Sequence, residues 1–184
     1  MEERTSRAEG RTTTPERPDP PRVATEPDLV VTIEDGSIRG LNHVGLTTGD
    51  LDGSIRFYGD GLGLRMRGRG ETDSPELSTI IGLSDTKLRW AEFYLPGGQI
   101  LEILEYVSPT GTPLVQRTCD PGSAHFAFEV RGIEALYDRL EQQGVTVRSR
   151  PVRIEEPGDW DGYRCIYAVD PDGFTVEFVE PPLA

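Results

Sequence analysis

Histidine and cysteine are scarce in this chain of 184 residues, with two of each, and lysine occurs once, at Lys87. Cys119 and Cys165 are too few for a disulfide framework, so an apolar core must hold the fold, and a reducing compartment suits it. No apolar run marks a secretory leader, so a cytoplasmic protein is the expectation. Positive charge is short as well: 19 Lys and Arg face 32 Asp and Glu, for a formal net charge of −13. That balance speaks against nucleic acid or an anionic membrane as a partner. Residues 1–37 hold five Arg and nine Asp/Glu, a net −4, which leaves −9 on the remainder. The acidity is therefore spread along the chain and favours solubility.

Residues 1–37 are rich in Arg, Glu, Thr and Pro and poor in large apolar side chains. They offer too little burial to offset the entropy of ordering, and are expected to form a disordered tail. Residues 38–184 are long enough for one domain with a core of its own.

Within that domain a pattern occurs twice. Asp170-Pro171-Asp172-Gly173 is turn chemistry, Pro presetting φ and Gly accepting a positive φ, and the strand-like run after it carries Glu177 and Glu180. Gly98 leads in the same way to Glu102 and Glu105. The two histidines complete the echo, each opening a short strand-like run: Leu41-Asn42-His43-Val44-Gly45-Leu46 and Ser123-Ala124-His125-Phe126-Ala127-Phe128. His43 lies 59 residues before Glu102, and His125 lies 52 before Glu177. The chain thus reads as an α+β fold of two tandem βαβββ modules, 38–107 and 123–184, joined by a Pro-marked linker over 108–122.

Module one is expected to run as strand 40–47, a helix N-capped by Asp50 with Leu51, Ile55, Tyr58 and Leu62 at helical spacing, and strand 64–69. A polar loop over 70–86, with a small apolar patch at Leu77, Ile80 and Ile81, leads to strands 87–95 and 99–107. Module two follows suit. Strand 123–130 precedes a helix with Ile133, Leu136 and Leu140 on one face and Gly144 just past its end. Strand 145–150, a loop over 151–162 and a closing hairpin complete it.

Alternation along strands sorts the side chains by face. Val44 and Leu46, Phe126 and Phe128, and Val176 and Phe178 suit the helix side. His43, Glu102, His125 and Glu177 are turned to the opposite side, one His and one Glu per module. A single Glu on the open side of an antiparallel strand is ordinarily just solvated. What overrides this is joint placement, because the chain's two histidines occupy one slot and the two glutamates another. Imidazole and carboxylate suit Zn, Ni, Co, Mn or Fe, and a cation removes the cost of burying the two acids together. Curled sheets gathering these four around one divalent ion are the expectation. Glu105 and Glu180 fall on the other strand face and read as solvated. A two-residue Gly97-Gly98 turn would pair Phe93 with Glu102 and set Arg89 on the same face, making Arg89, Phe93 and Tyr106 candidate substrate contacts; a three-residue turn would substitute Trp90 and Glu92. Arg65, Arg67 and Arg69, echoed by Arg148 and Arg150, read as charges guarding a sheet edge.

These motifs, with Phe57-Tyr58 before Leu62-Gly63-Leu64, resemble the vicinal oxygen chelate superfamily over about residues 38–182. That superfamily includes glyoxalase I, methylmalonyl-CoA epimerase, extradiol dioxygenases and bleomycin- and fosfomycin-resistance proteins. The resemblance implies that its four ligand slots are filled here by His43, Glu102, His125 and Glu177. A complete set implies a glyoxalase- or epimerase-like isomerase or lyase acting on a small substrate with vicinal oxygens through an enediolate, with Glu177 or Glu102 as general base. The second acid of the epimerase aligns with Thr86, Asp85 being the nearest carboxylate. The resemblance leaves two alternatives: an extradiol-type iron dioxygenase using His43, His125 and Glu177, and a non-catalytic drug-binding resistance protein. The superfamily shows both sites closed within one chain and sites shared between two chains; Pro109, Pro113 and Pro121 make the linker extended enough to cross a module edge, and a homodimer with shared sites is the expectation.

Overall fold

A computed structural model describes residues 40–183, and the tail expected over 1–37 lies outside the described residues. Module one comprises β1 (His43–Thr48), α1 (Leu51–Ile55) running on as a π-helical segment (Arg56–Gly61), and β2 (Arg65–Thr72). A short α2 (Pro75–Ile81), β3 (Lys87–Tyr94) and β4 (Ile100–Ser108) follow. Module two comprises β5 (His125–Glu129), α3 (Ile133–Gln142), β6 (Val152–Arg153), β7 (Arg164–Val169) and β8 (Thr175–Glu180). Each module forms a four-stranded mixed sheet. The orders are β1-β4-β3-β2 and β5-β8-β7-β6, with the first strand of each module parallel to its last. The fold is α+β with two like modules, as the repeat predicts.

The caps read from the sequence are in place. Asp50 accepts from the Gly53 N–H at 3.0 Å, and Gly144 follows α3 with φ 73°. Gly59, unfavourable inside a helix by propensity, is needed for packing: a Cβ there would lie 3.3 Å from the Phe93 ring. The 70–86 stretch holds more order than expected, since Ser74 caps α2 and Pro75 starts it. The expected strand over 145–150 is reduced to one bridge, Val147 to Ala168. Arg150 leaves the sheet plane to lie over the Tyr137 ring at 5.2 Å.

The helix-facing sides of both sheets merge into one core, in which Tyr58, Phe93, Leu101 and Ile103 of module one join Ile133, Leu140, Val176 and Phe178 of module two. Module two's turn clasps module one. The buried Tyr58 hydroxyl donates to Asp170 at 2.9 Å, Gly49 N–H donates to Asp172 at 2.7 Å, and the Thr48 hydroxyl donates to the same carboxylate. With their helix sides inward, the sheets turn their other faces out. His43, Gly45 and Thr47 of β1 and His125, Ala127 and Glu129 of β5 are all exposed.

Two glutamates read as solvated are not. Glu105 accepts from Arg89 at 2.6 Å, and Arg89 also reaches Asp52 in the first turn of α1 at 3.0 Å. Glu180 accepts from the Gly132 and Ile133 N–H groups at the start of α3 and pairs with Arg164, which also bonds Glu134 in the first turn of α3. The same Arg–Glu–acid bracket thus ties strands to helix in both modules. It holds the Asp52 carboxyl below its usual range through the hydrogen bond and charge of Arg89.

Candidate functional site

Each outward face carries one His–Glu pair. Parallel pairing of β1 with β4 sets Gly45 opposite Glu102, so His43, one residue pair earlier on the same face, reaches across to it. His43 Nε2 lies 3.7 Å from Glu102 Oε2, and their side chains are 49% and 27% exposed. In module two His125 Nε2 lies 3.3 Å from Glu177 Oε2, with 46% and 16% exposure. Ligand atoms about 2.1 Å from a shared ion at a tetrahedral angle stand roughly 3.4 Å apart, so both pairs have the spacing of two ligands to one cation. The donor set of two imidazoles and two carboxylates fits a divalent transition metal.

The surroundings aim these ligands. His43 Nδ1 lies 2.8 Å from Asn42 Oδ1; with the proton on Nδ1 donated there, Nε2 is left as the free acceptor beside Glu102. The His125 ring packs against Tyr167, centroids 5.5 Å apart, and Tyr167 stands opposite Glu177 in the β7–β8 register. Burial first, then the Glu177 charge, pushes the Tyr167 hydroxyl up, which keeps it a neutral donor. Neither Asn42 nor Tyr167 stands out in the sequence by itself. Tyr167 could be found by counting back from the Asp170–Gly173 turn.

The four candidate ligands do not gather within one chain. Among the described residues no three His, Cys, Asp or Glu side chains come together as a cation would require. The chain supplies two half-sets on two outward faces.

The candidate substrate contacts need correction. Leu95 N–H donates to Gln99 O, and Gly98 N–H to Leu95 O, so the β3–β4 loop is Pro96-Gly97-Gly98. Three residues rather than two shift the register by one, pairing Glu92 with Glu102 and Trp90 with Leu104. Phe93 therefore faces α1 with no exposed surface, and Arg89 belongs to the inter-element bracket. Tyr106 keeps Glu102's face by alternation, and Tyr106 and Arg89 both line a cleft of ≈ 880 Å³ between the ends of β1 and β4, the linker and the Asp172–Phe174 turn. Arg67, at a bulge in the edge strand β2, pairs with Glu92 at 2.7 Å.

Comparison with known proteins adds to this geometry. The family model of the Glyoxalase/Bleomycin resistance protein/Dioxygenase superfamily matches residues 40–178. A glyoxalase family protein from Bacillus cereus superposes with a TM-score of 0.71 at 19% identity, covering 82% of this chain and 99% of that one. A glyoxylase/bleomycin resistance protein/dioxygenase domain from Frankia sp. EAN1pec gives 0.58 at 24% identity, covering 78% and 98%. The fosfomycin resistance protein FosX from Listeria monocytogenes, complexed with Mn(II) and sulfate, gives 0.54 at 23% identity, covering 80% and 96%. No curated protein matches the chain.

Proposed function

The chain belongs to the Glyoxalase/Bleomycin resistance protein/Dioxygenase superfamily, and from that premise we propose that it is a divalent-metal-dependent isomerase or lyase of the glyoxalase or epimerase type. The observation that carries the reading is the duplicated His–Glu pair, two like half-sets at ligand spacing on equivalent strands. The Mn(II) of FosX supports a metal-bound relative with this fold.

His43, Glu102, His125 and Glu177 would hold one ion of Zn, Ni, Co, Mn or Fe. When bound, it supplies Lewis-acid polarisation of two vicinal substrate oxygens. Glu177, the more buried of the two acids and flanked by Tyr167, takes the proton from the adjacent C–H carbon. Asn42 orients His43, and Tyr167 orients His125. Because the half-sets face outward from a shared core, a second copy completes each site, module one of one chain meeting module two of the other. The exposed ligand faces of β1 and β5, each an edge strand of its sheet, support that homodimer.

The test is metal analysis of protein purified without chelators, followed by a screen of 2-oxo acids, thiohemiacetals and CoA esters. One ion per His2Glu2 set is expected. Glu177→Gln should abolish turnover while weakening metal binding less than His125→Ala does. Full activity in Glu177→Gln would exclude Glu177 as the essential base.

A further inference from the structure

Module one's outward face has a second feature beside Glu102. One residue pair along from Glu92–Glu102, the rungs of the sheet read Thr47, Leu104, Trp90 and Gly70 across β1, β4, β3 and β2. Trp90 and Leu104 are half-buried and lie outside the apolar core, as does Tyr106 further along β4. None of these side chains joins the core cluster, yet Trp90 and Leu104 lie one rung of the sheet from Glu102 and Tyr106 two.

The indole is laid down by two glycines. A Cβ on Gly70 would stand 2.9 Å from Trp90 Cζ2, and one on Gly68 would stand 3.6 Å from Cη2. With no side chains there, the ring rests on β2 rather than standing over Glu102. One ring face thus lies against the β2 backbone at Gly68 and Gly70. The nearby charges are spoken for, Arg67 by Glu92 and Arg65 by the Tyr94 ring, 4.3 Å from its centroid.

We propose that Trp90 is a stacking platform, and that the part of the substrate beyond its chelating oxygens is aromatic or otherwise apolar and uncharged. This rests on the metal-dependent reading above and narrows its substrate class, setting phosphate-bearing CoA esters aside. An aromatic ring extending from the oxygens at Glu102 passes over Leu104 to the open face of Trp90, where offset stacking adds to the burial of apolar area.

The chain has two tryptophans, so Trp160→Phe leaves Trp90 as the sole indole reporter. Phenylglyoxylate, pyruvate and methylmalonyl-CoA are titrated into that protein, both Mn(II)-loaded and chelator-treated. Phenylglyoxylate should quench Trp90 and bind about tenfold more tightly than pyruvate, which carries the same two oxygens without the ring. The preference should fall towards unity when Trp90→Ala is assayed by calorimetry. Gly70→Ala, whose new methyl must lift the indole, should reduce it with the reporter retained, so the question is answered even if Trp90→Ala does not fold. Absence of quenching by phenylglyoxylate, equal affinity for the two acids, tighter binding of methylmalonyl-CoA, or a preference surviving the substitutions would overturn the proposal. Mn(II) binding is followed separately by electron paramagnetic resonance. Absence of Mn(II) binding together with absence of Zn, Ni, Co and Fe in metal analysis refutes the metalloenzyme reading, while the ratio in chelator-treated protein still decides the role of Trp90.

Discussion

Tyr58→Phe removes one oxygen and leaves the ring packing against Phe57 and Phe93 unchanged. The lost group donates to Asp170 Oδ2 at 2.9 Å, while Oδ1 already accepts from the Asp172 and Phe174 N–H groups at 3.0 and 2.8 Å. Hydrogen bonds to a charged partner contribute about 1.5–3 kcal/mol. In a domain of this size each kcal/mol moves Tm by about 2–4 °C, so a fall of roughly 3–12 °C is expected at neutral pH. The pH dependence follows from Asp170, whose pKa burial raises despite its three donors. A raised native pKa means that the folded state holds the proton more tightly than the unfolded one. Stability therefore falls as pH climbs from the unfolded value near 3.9 through the native value, and is level above it. Without the Tyr58 donor the native pKa climbs further and the fall is steeper. The variant should thus lose most relative to the parent at pH 7 and least below about pH 3.9. Thermal melts by circular dichroism from pH 3.5 to 7.5 would check this. A difference in Tm below 1 °C at pH 7, or one that grows on acidification, would refute the role given to this bond.

Mixing inactive His43→Ala and His125→Ala proteins should restore about half of normal activity per mixed dimer, because one of its two shared sites is then intact. No recovery after confirmed subunit exchange would mean that each chain builds its own site. Asn42→Ala should weaken metal affinity by about 10-fold or more, as loss of an orienting partner does, with secondary structure unchanged; isothermal titration would measure it. Deleting residues 1–35 should leave Tm and activity as they were, since their composition offers little apolar surface to a core. A drop of several degrees would show that the segment docks.

The modular plan was readable because it is local and occurs twice. Caps at Asp50, a turn at Asp170–Gly173 and alternation along each strand assign faces without knowledge of distant neighbours. The β3–β4 register was not readable, because it hangs on whether Pro96 belongs to strand or loop, and one residue there exchanges Phe93 and Arg89 for Glu92 and Trp90. The ion pairs of Glu105 and Glu180 are hidden for a different reason. Their partners come from neighbouring strands and helix starts, contacts that alternation alone does not reveal. The repeat does carry a trace of them: Arg89 and Arg164 stand opposite Glu105 and Glu180 in equivalent hairpins. Which way the two sheets turn is decided by side chains more than a hundred positions apart, such as Tyr58 and Asp170, and no short-range pattern encodes it.

The clasp between Gly49 and Asp172 spans 123 residues, which bears on how the chain comes off the ribosome. When β1 and α1 emerge, the carboxylates that will hold their junction have not been translated. β8, an interior strand of its sheet and the one that follows this turn, appears after every other described strand. Module one must therefore wait, its inner face covered only by its own helix, until residues 170–180 have been made. Truncation after Val169 would remove the turn, the interior strand β8 and Glu177 together. Truncations before residue 180 should be as damaging to the nascent protein as those within module one.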